Sequence, residues 1–102
     1  MRKDRPVVAS EKILRLVSEH FMCAESDLLR VSRGAGVDNT ARSVAIKLCQ
    51  ETGSMKLKEV GKIFGIRSES GVTKVISRIT SRLLEDYELR LIYKVICQDL
   101  TP

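Results

Sequence analysis

The sequence predicts an all-α fold, a compact multi-helix domain that contains a helix-turn-helix. Apolar residues recur with the period of an α-helix over most of the chain. No segment shows the strict alternation of a half-buried strand. Residues that commonly begin or end helices, such as Ser10, Gly53, Ser68 and Asp86, separate the apolar stretches. A length of 102 residues suits one domain with one core.

The first two helices are short and lie in the first third of the chain. Ser10 is predicted to cap a helix whose apolar residues continue at helical spacing to Phe21. Ser26 and Asp27 are predicted to cap a second, shorter helix. His20 is the one histidine, and we expect it to be partly buried at the end of the first helix. Without a second ligand or acid in the sequence pattern, it is not predicted to bind a metal.

The third helix is predicted from about Thr40 to Thr52, and Gly53 supplies its left-handed stop. Lys47 is expected outside the inner stripe of this helix. That stripe consists of Ala41, Val44, Ala45 and Leu48.

Two helices joined by a glycine turn follow, and together they match a helix-turn-helix. The first runs from Lys56 to Phe64, and Gly65 makes the turn. The second is capped by Ser68 and continues to about Glu85. A glycine inside a helix costs about 1 kcal/mol relative to alanine. Gly61 therefore predicts a close approach between the two helices, where a side chain would push them apart.

Positive charge is concentrated around this motif. Between residues 30 and 82 there are eleven basic and four acidic residues, whereas the whole chain has a net charge of +5. Lys74, Arg78 and Arg82 recur every fourth residue and form one cationic ridge on the second helix. Charge at this spacing often marks no more than a solvated helix face. Because the ridge is nearly free of acids, phosphate contact is the preferred interpretation.

The ends of the chain are predicted to flank a single domain. Residues 1–9 read as a flexible basic arm, residues 10–99 as the helical domain and residues 100–102 as a tail. Asp86 is expected to cap a last helix, which either closes the core or exposes apolar area for a dimer.

Several functional classes are disfavoured by the composition. The three cysteines form no CxxC pair, which favours a reduced, cytoplasmic setting over a disulfide framework. No apolar stretch is long enough for a membrane span or resembles a signal peptide. No nucleophile–histidine–acid set, metal-ligand cluster or phosphate loop is apparent. We therefore expect no catalytic residues, no metal and no cofactor, and hence no enzyme.

The residues from Thr40 to Ile79 resemble the C-terminal DNA-binding domain of the bacterial replication initiator DnaA, a fold of the Trp-repressor-like type. The shared pieces are Ala41-Arg42, Leu48, Glu51, Leu57-x-Glu59-Val60-Gly61, Phe64-Gly65-x-Arg67 and Val72. The leading helix from Ile13 to Phe21 fits as well, so the resemblance covers nearly the whole chain. It implies a DnaA-like, bacterial, DNA-binding helix-turn-helix.

The start of the second motif helix departs from the initiators. There the family carries an Asp-His-Ser/Thr-Thr run that reads the DnaA box, whereas this chain has Ser68, Glu69, Ser70 and Gly71. Recognition of the DnaA box is therefore not carried over. The form FGIRSESGVTKVISR looks more like the DnaA-like domain of REP-associated tyrosine transposases. With one histidine, the chain lacks the paired-His motif of those enzymes, so Tyr87 and Tyr93 are expected in the core or on the surface.

Carried over residue by residue, the resemblance implies three groups of DNA contacts. Arg30 and Arg33 match a loop that reaches the minor groove. Phosphate-positioning sites are implied at Arg42, Lys56 and Lys58, and major-groove contacts at Ser68, Glu69, Ser70, Thr73 and Lys74. Ser68 is also expected as a cap, and Glu69 as a helix-start carboxylate. The complete set is Arg33, Arg42, Lys56, Lys58, Arg67, Ser68, Glu69, Ser70, Thr73, Lys74, Ser77 and Arg78.

The predicted function is sequence-specific binding of double-stranded DNA, as the targeting module of a transposase-related protein or as a small regulator. The expected partners are duplex DNA and, beyond it, a homodimer partner or a fused or associated transposase catalytic domain. The alternative is a protein-interaction module that keeps the helix-turn-helix fold without reading DNA, since fold alone does not establish function.

Overall fold

The computed structural model describes residues 10–29, 40–53 and 55–100, and every regular element within these ranges is an α-helix. This confirms the predicted all-α class. The helices are α1 (Ser10–Phe21), α2 (Glu25–Leu29), α3 (Thr40–Glu51), α4 (Leu57–Phe64), α5 (Glu69–Glu85) and α6 (Tyr87–Leu100).

Helix α3 lies at the centre of the domain and contacts α1, α2, α4 and α5. It is buried along most of its length, from Ala41 to Cys49 apart from Arg42 and Ser43. Aliphatic side chains from the other helices close around it, and Phe64 at the end of α4 is the one fully buried aromatic ring among the described residues. Packed aliphatic residues form the core, which fixes α4 and α5 against α3.

Helix α6 packs against α1 and α5 and closes the core on one side. Asp86 caps it as predicted, because its Oδ1 accepts a hydrogen bond from the Leu89 N–H (3.1 Å). The helix ends at Leu100, which is buried.

Lys47 lies outside the inner stripe of α3, as expected, but its side chain is only 8% exposed, which the helical period did not predict. Its Nζ donates to the Glu51 carboxylate (2.6 Å) and lies 5.8 Å from the centre of the Tyr93 ring. The Tyr93 hydroxyl donates to the other Glu51 oxygen (2.7 Å). Lys47, Glu51 and Tyr93 form what we call the α3–α6 cluster. Helical periodicity placed Lys47 off the apolar stripe, but the Tyr93 side chain of α6 reaches over that side of α3.

Ionisation within the α3–α6 cluster follows from this geometry. Burial favours the neutral form of Glu51, but the hydrogen bonds from Lys47 and Tyr93 and the lysine charge outweigh it and lower the pKa of Glu51. Burial and the neighbouring Glu51 carboxylate raise the pKa of Tyr93. Near neutral pH Glu51 is thus an anion that accepts hydrogen bonds from the Lys47 ammonium and from the neutral Tyr93 hydroxyl. The bond to Tyr93 links α3 to α6.

The end of α1 contains a backbone conformation that most side chains avoid. Met22 has a φ of 55° and is almost fully exposed. The Cys23 N–H donates back to the Ser18 carbonyl (3.0 Å), as in a Schellman-type helix end. Glycine is the usual residue at such a position, so Met22 adds local strain without adding buried area.

Helix α2 begins at Glu25, earlier than the sequence predicted. Asp27 therefore lies inside the helix, and its carboxylate accepts a hydrogen bond from the Ala24 N–H (3.4 Å). The predicted cap at Ser26 is replaced by this side chain reaching back to the helix start.

Candidate nucleic-acid interface

The turn between α4 and α5 depends on two glycines. Gly65 has a φ of 73°, the left-handed conformation that ends α4, and the Ile66 N–H donates to the Gly61 carbonyl (2.8 Å). A Cβ added to Gly61 would lie 2.6 Å from the Ile66 carbonyl oxygen but 3.6 Å from Val72 Cγ2. A side chain at Gly61 would therefore clash with the turn backbone, whereas Val72 of α5 lies at an ordinary contact distance, so the expectation that it would push the two helices apart is not confirmed.

Helix α5 begins with a side-chain cap. The Ser68 Oγ accepts a hydrogen bond from the Gly71 N–H (3.1 Å), as its predicted capping role requires. The Ser70 hydroxyl lies 3.4 Å from the same oxygen. The Thr73 hydroxyl donates to the Glu69 carbonyl (3.1 Å), which leaves its methyl group available at the surface.

The two sides of α5 differ sharply in exposure. Val72, Ile79 and Leu83 are buried against the rest of the domain. The opposite side presents side chains that are all exposed, and we call it the α5 outer face: Glu69, Ser70, Thr73, Lys74, Ser77 and Arg78. It carries hydrogen-bond donors and acceptors of several kinds from its first turn onward, which is the composition that base edges require.

A cleft of about 490 Å³ separates the beginnings of α4 and α5. Lys58, Lys62 and Arg67 line it, and all three are exposed. Lys62 was not among the predicted contacts. Its spacing of four residues from Lys58 places both on one side of α4, and this signal could have identified it. The cleft joins the α5 outer face at Glu69.

The cations of this surface are not neutralised by neighbouring acids. Within the described ranges, Lys58, Lys62, Arg67, Lys74 and Arg78 have no carboxylate within ion-pair distance. Their positive charge is therefore available to an anionic ligand, and the cleft and the α5 outer face form one continuous polar surface.

Arg42 differs from the other predicted contacts because it is engaged within the protein. Its guanidinium donates to the Phe64 carbonyl (2.6 Å) and lies 5.9 Å from the centre of the Phe64 ring. Partial burial lowers the pKa of Arg42. The side chain links the beginning of α3 to the last turn of α4, so it holds the helix-turn-helix in place whether or not it also contacts phosphate.

Of the remaining basic positions that the sequence singled out, Lys56 and Arg82 are described by the structure. Lys56 is exposed at the start of α4, where its N–H donates to the Glu59 carboxylate (3.1 Å). Arg82, the last member of the cationic ridge, donates to the Thr40 hydroxyl (2.9 Å) at the start of α3. Arg30 and Arg33 lie outside the described residues.

His20 has a carboxylate neighbour on α6. His20 lies 3.4 Å from the Asp99 carboxylate and is partly buried, as predicted, at the end of α1. Among the described residues, no group of three His, Cys, Asp or Glu side chains could hold a metal ion. Nor is any described helix both long and apolar enough to cross a membrane.

The comparison with protein families identifies this arrangement. The model for the bacterial DnaA protein helix-turn-helix matches residues 10–79, which is more than half of the chain. The chain belongs to the DnaA helix-turn-helix family. Domains of this family are non-catalytic and bind double-stranded DNA. The matched region begins with α1 and ends within α5, so α6 lies beyond it.

Curated relatives include several proteins described as chromosomal replication initiator protein DnaA. The one from Nautilia profundicola is 29% identical over 91 residues, which is 89% of this chain and 21% of that protein. The one from Leifsonia xyli subsp. xyli is 33% identical over 82 residues, or 80% of this chain and 17% of that protein. The chain thus spans about a fifth of the length of these relatives.

Proposed function

We propose that the chain binds double-stranded DNA sequence-specifically, with α5 in the major groove. The observation that carries the proposal is the α5 outer face. It is fully exposed from the first turn of a helix whose other side is fixed in the core. An α-helix fits the major groove of B-DNA, where every base pair presents a distinct pattern of donors and acceptors. The family membership supports the same function.

Within this proposal the exposed residues take different roles. Lys74 can donate to a guanine edge, Glu69 can accept from a cytosine amino group, and the Thr73 methyl can contact thymine. Lys58, Lys62 and Arg67 line the neighbouring cleft. We assign them to the phosphate backbone, where they position the domain without reading sequence. Lys56 and Arg78 extend this positive surface.

The target is expected to differ from the DnaA box. The residues at the start of α5 are Ser68, Glu69, Ser70 and Gly71. Ser68 is used as the helix cap, and Gly71 has no side chain, so two of these four positions supply no base-reading group. The biological role we propose is the targeting module of a transposase-related protein or a small regulator. The sequence form FGIRSESGVTKVISR supports it.

Selection of bound duplexes from a random-sequence pool tests the proposal. The selected duplex is then titrated against a scrambled duplex and a DnaA-box duplex at two salt concentrations. We expect one enriched motif and much weaker binding to both other duplexes. Affinity should also fall steeply with salt, because each neutralised phosphate releases counterions. Lys12→Ala, which removes one exposed cation from α1, is the matched control and should bind like the wild type.

Other results would point to other functions. Preference for the DnaA box would keep the DNA-binding function and overturn the altered specificity. Equal, salt-sensitive binding to all duplexes would leave a nonspecific phosphate anchor. No binding at low salt would overturn the proposal and favour the protein-interaction module.

A further inference from the structure

Helix α6 presents an apolar stripe that no other described helix covers, although the Arg90 guanidinium of α6 itself lies 5.8 Å from the centre of the Tyr87 ring. Tyr87, Leu91 and Val95 follow one another every fourth residue and therefore lie on one side of the helix. They are 64%, 44% and 43% exposed, respectively. The opposite side, with Leu89, Ile96 and Leu100, is buried in the core. The side chains of the stripe therefore do not contribute to the packing of the core.

The charges on either side of the stripe have opposite signs. Helical spacing places Glu88 and Asp99 along one flank, and Arg90 and Lys94 along the other. All four side chains belong to exposed residues. Asp99 approaches His20 of α1, but the other three form no ion pair with a described residue. An apolar stripe between an acidic and a basic flank is complementary to a copy of itself.

We infer that α6 forms a symmetric interface with a second copy of this chain, with the two α6 helices parallel. In a two-fold pair the same surface is used by both copies. When the helices are parallel, the acidic flank of one copy meets the basic flank of the other. When they are antiparallel, each flank meets its own copy and like charges face each other. Charge complementarity therefore selects the parallel arrangement.

The levels of the charged residues along the helix agree with parallel pairing. Glu88 of one copy and Arg90 of the other differ in height by two residues, or about 3 Å. Leu91 lies midway along the stripe and would contact Leu91 of the second copy across the two-fold axis. This interface lies outside the family match, which ends at residue 79, and it does not depend on DNA binding.

Sedimentation of the full chain over a range of concentrations tests the inference. We expect a reversible dimer, and Leu91→Glu should raise its dissociation constant at least about tenfold by placing charges at the apolar centre. Glu88→Lys should weaken the dimer as well, because the lysine would face Arg90 of the second copy. Combining Glu88→Lys with Arg90→Glu should restore it. Circular dichroism of each variant checks that the exposed substitutions leave the helices intact.

Cross-linking decides the direction of the helices. In the parallel arrangement Tyr87→Cys places two thiols near each other at the same level. In an antiparallel pair centred on Leu91 they would be about 12 Å apart along the axis. We expect a cross-linked dimer well above the background from the native cysteines of the wild type. A chain that stays monomeric at millimolar concentration, a dimer insensitive to Leu91→Glu, or a dimer in which Tyr87→Cys gives no added cross-link would each overturn the inference.

Discussion

The lysine of the α5 outer face and the lysine of the α3–α6 cluster differ in exposure and in ion pairing. Lys74 on the outer face is exposed, and no acid lies three or four residues from it along α5. Lys47 in the cluster is buried and holds Glu51, four residues further along α3. The first lysine keeps its charge available to a ligand, whereas the second uses its charge to join two helices.

The difference shows what marks a cation as a candidate for ligand binding. Both residues are lysines on helices of a basic domain, so composition does not separate them. The separating features are the absence of a carboxylate partner at helical spacing and the absence of a second helix above the side chain. Lys74 meets both criteria, and Lys47 meets neither. Arg42 is intermediate, because it is partly buried and donates a hydrogen bond to the Phe64 carbonyl.

The largest loss of stability should come from disrupting the contact between α4 and the turn that positions α5. Gly61→Ala puts a Cβ 2.6 Å from the Ile66 carbonyl oxygen, and backbone must move to accommodate it. We expect a loss of about 1–3 kcal/mol in unfolding free energy, measured with urea, together with weaker DNA binding. Gly71→Ala is the control. Its nearest contact, at 2.8 Å, is Ile66 Cγ2, a side-chain methyl group rather than backbone, so we expect a smaller cost than for Gly61→Ala. Equal effects of both variants would contradict this account.

Substitution of exposed lysines should affect binding without affecting stability. Lys74→Ala is expected to cost about 1–3 kcal/mol in binding to the selected duplex and to change base preference. Lys58→Ala should weaken all duplexes alike and lower the salt slope by about one. Both variants should unfold within about 0.5 kcal/mol of the wild type, since neither side chain is buried. If both bound every duplex like the wild type, the assignment of this surface would be lost.

Substitution within the α3–α6 cluster should affect stability without affecting binding. Glu51→Ala leaves Lys47 and the Tyr93 hydroxyl without their acceptor. Because the carboxylate is nearly half exposed and screened by solvent, we expect a loss of only about 1–2 kcal/mol. DNA affinity of the folded protein should be unchanged. A matching loss of affinity would show that the two regions are coupled.

Acid should remove the contribution of Glu51. Its pKa is lowered in the folded state, so the stabilisation is complete above the ordinary carboxyl pKa of about 4.3 and is lost as pH falls through the lowered value. Glu51→Gln removes the carboxylate without shortening the side chain. Its stability deficit should therefore be constant from neutral pH to about 5 and shrink below that range. Urea titrations at a series of pH values measure this difference, and a deficit that grew on acidification would be inconsistent with the sign of the shift.

The smallest effect is expected at Met22, which belongs neither to the α5 outer face nor to the α3–α6 cluster. Its change in unfolding free energy is a reference for the larger effects in those two regions. Met22→Gly relieves the positive φ at the end of α1 and should stabilise the protein by about 1 kcal/mol. Met22→Ala keeps a Cβ in the same conformation and should give no comparable gain. Thermal unfolding of the pair isolates the backbone contribution, and DNA affinity should be unchanged in both.

Much of the fold could be predicted because helices and their caps depend on residues that are close together in the sequence. The caps at Ser68 and Asp86 and the turn at Gly65 follow from residues a few positions apart. The exposed side of α5 followed from its apolar period in the same way. Whether the residues of that side contact DNA stays a prediction.

The sequence by itself determined most of the helices, many of their ends and the helix-turn-helix, since these depend on periodicity and on short-range hydrogen bonds. Only the tertiary structure decided that Lys47 is buried, that Arg42 is bound to the end of α4 and that one stripe of α6 is left uncovered. Those outcomes depend on partners far apart in the chain. Tyr93 lies 42 positions from Glu51, and Arg42 lies 22 positions from Phe64. Helical periodicity tells which residues share a side of one helix, but packing decides which sides meet.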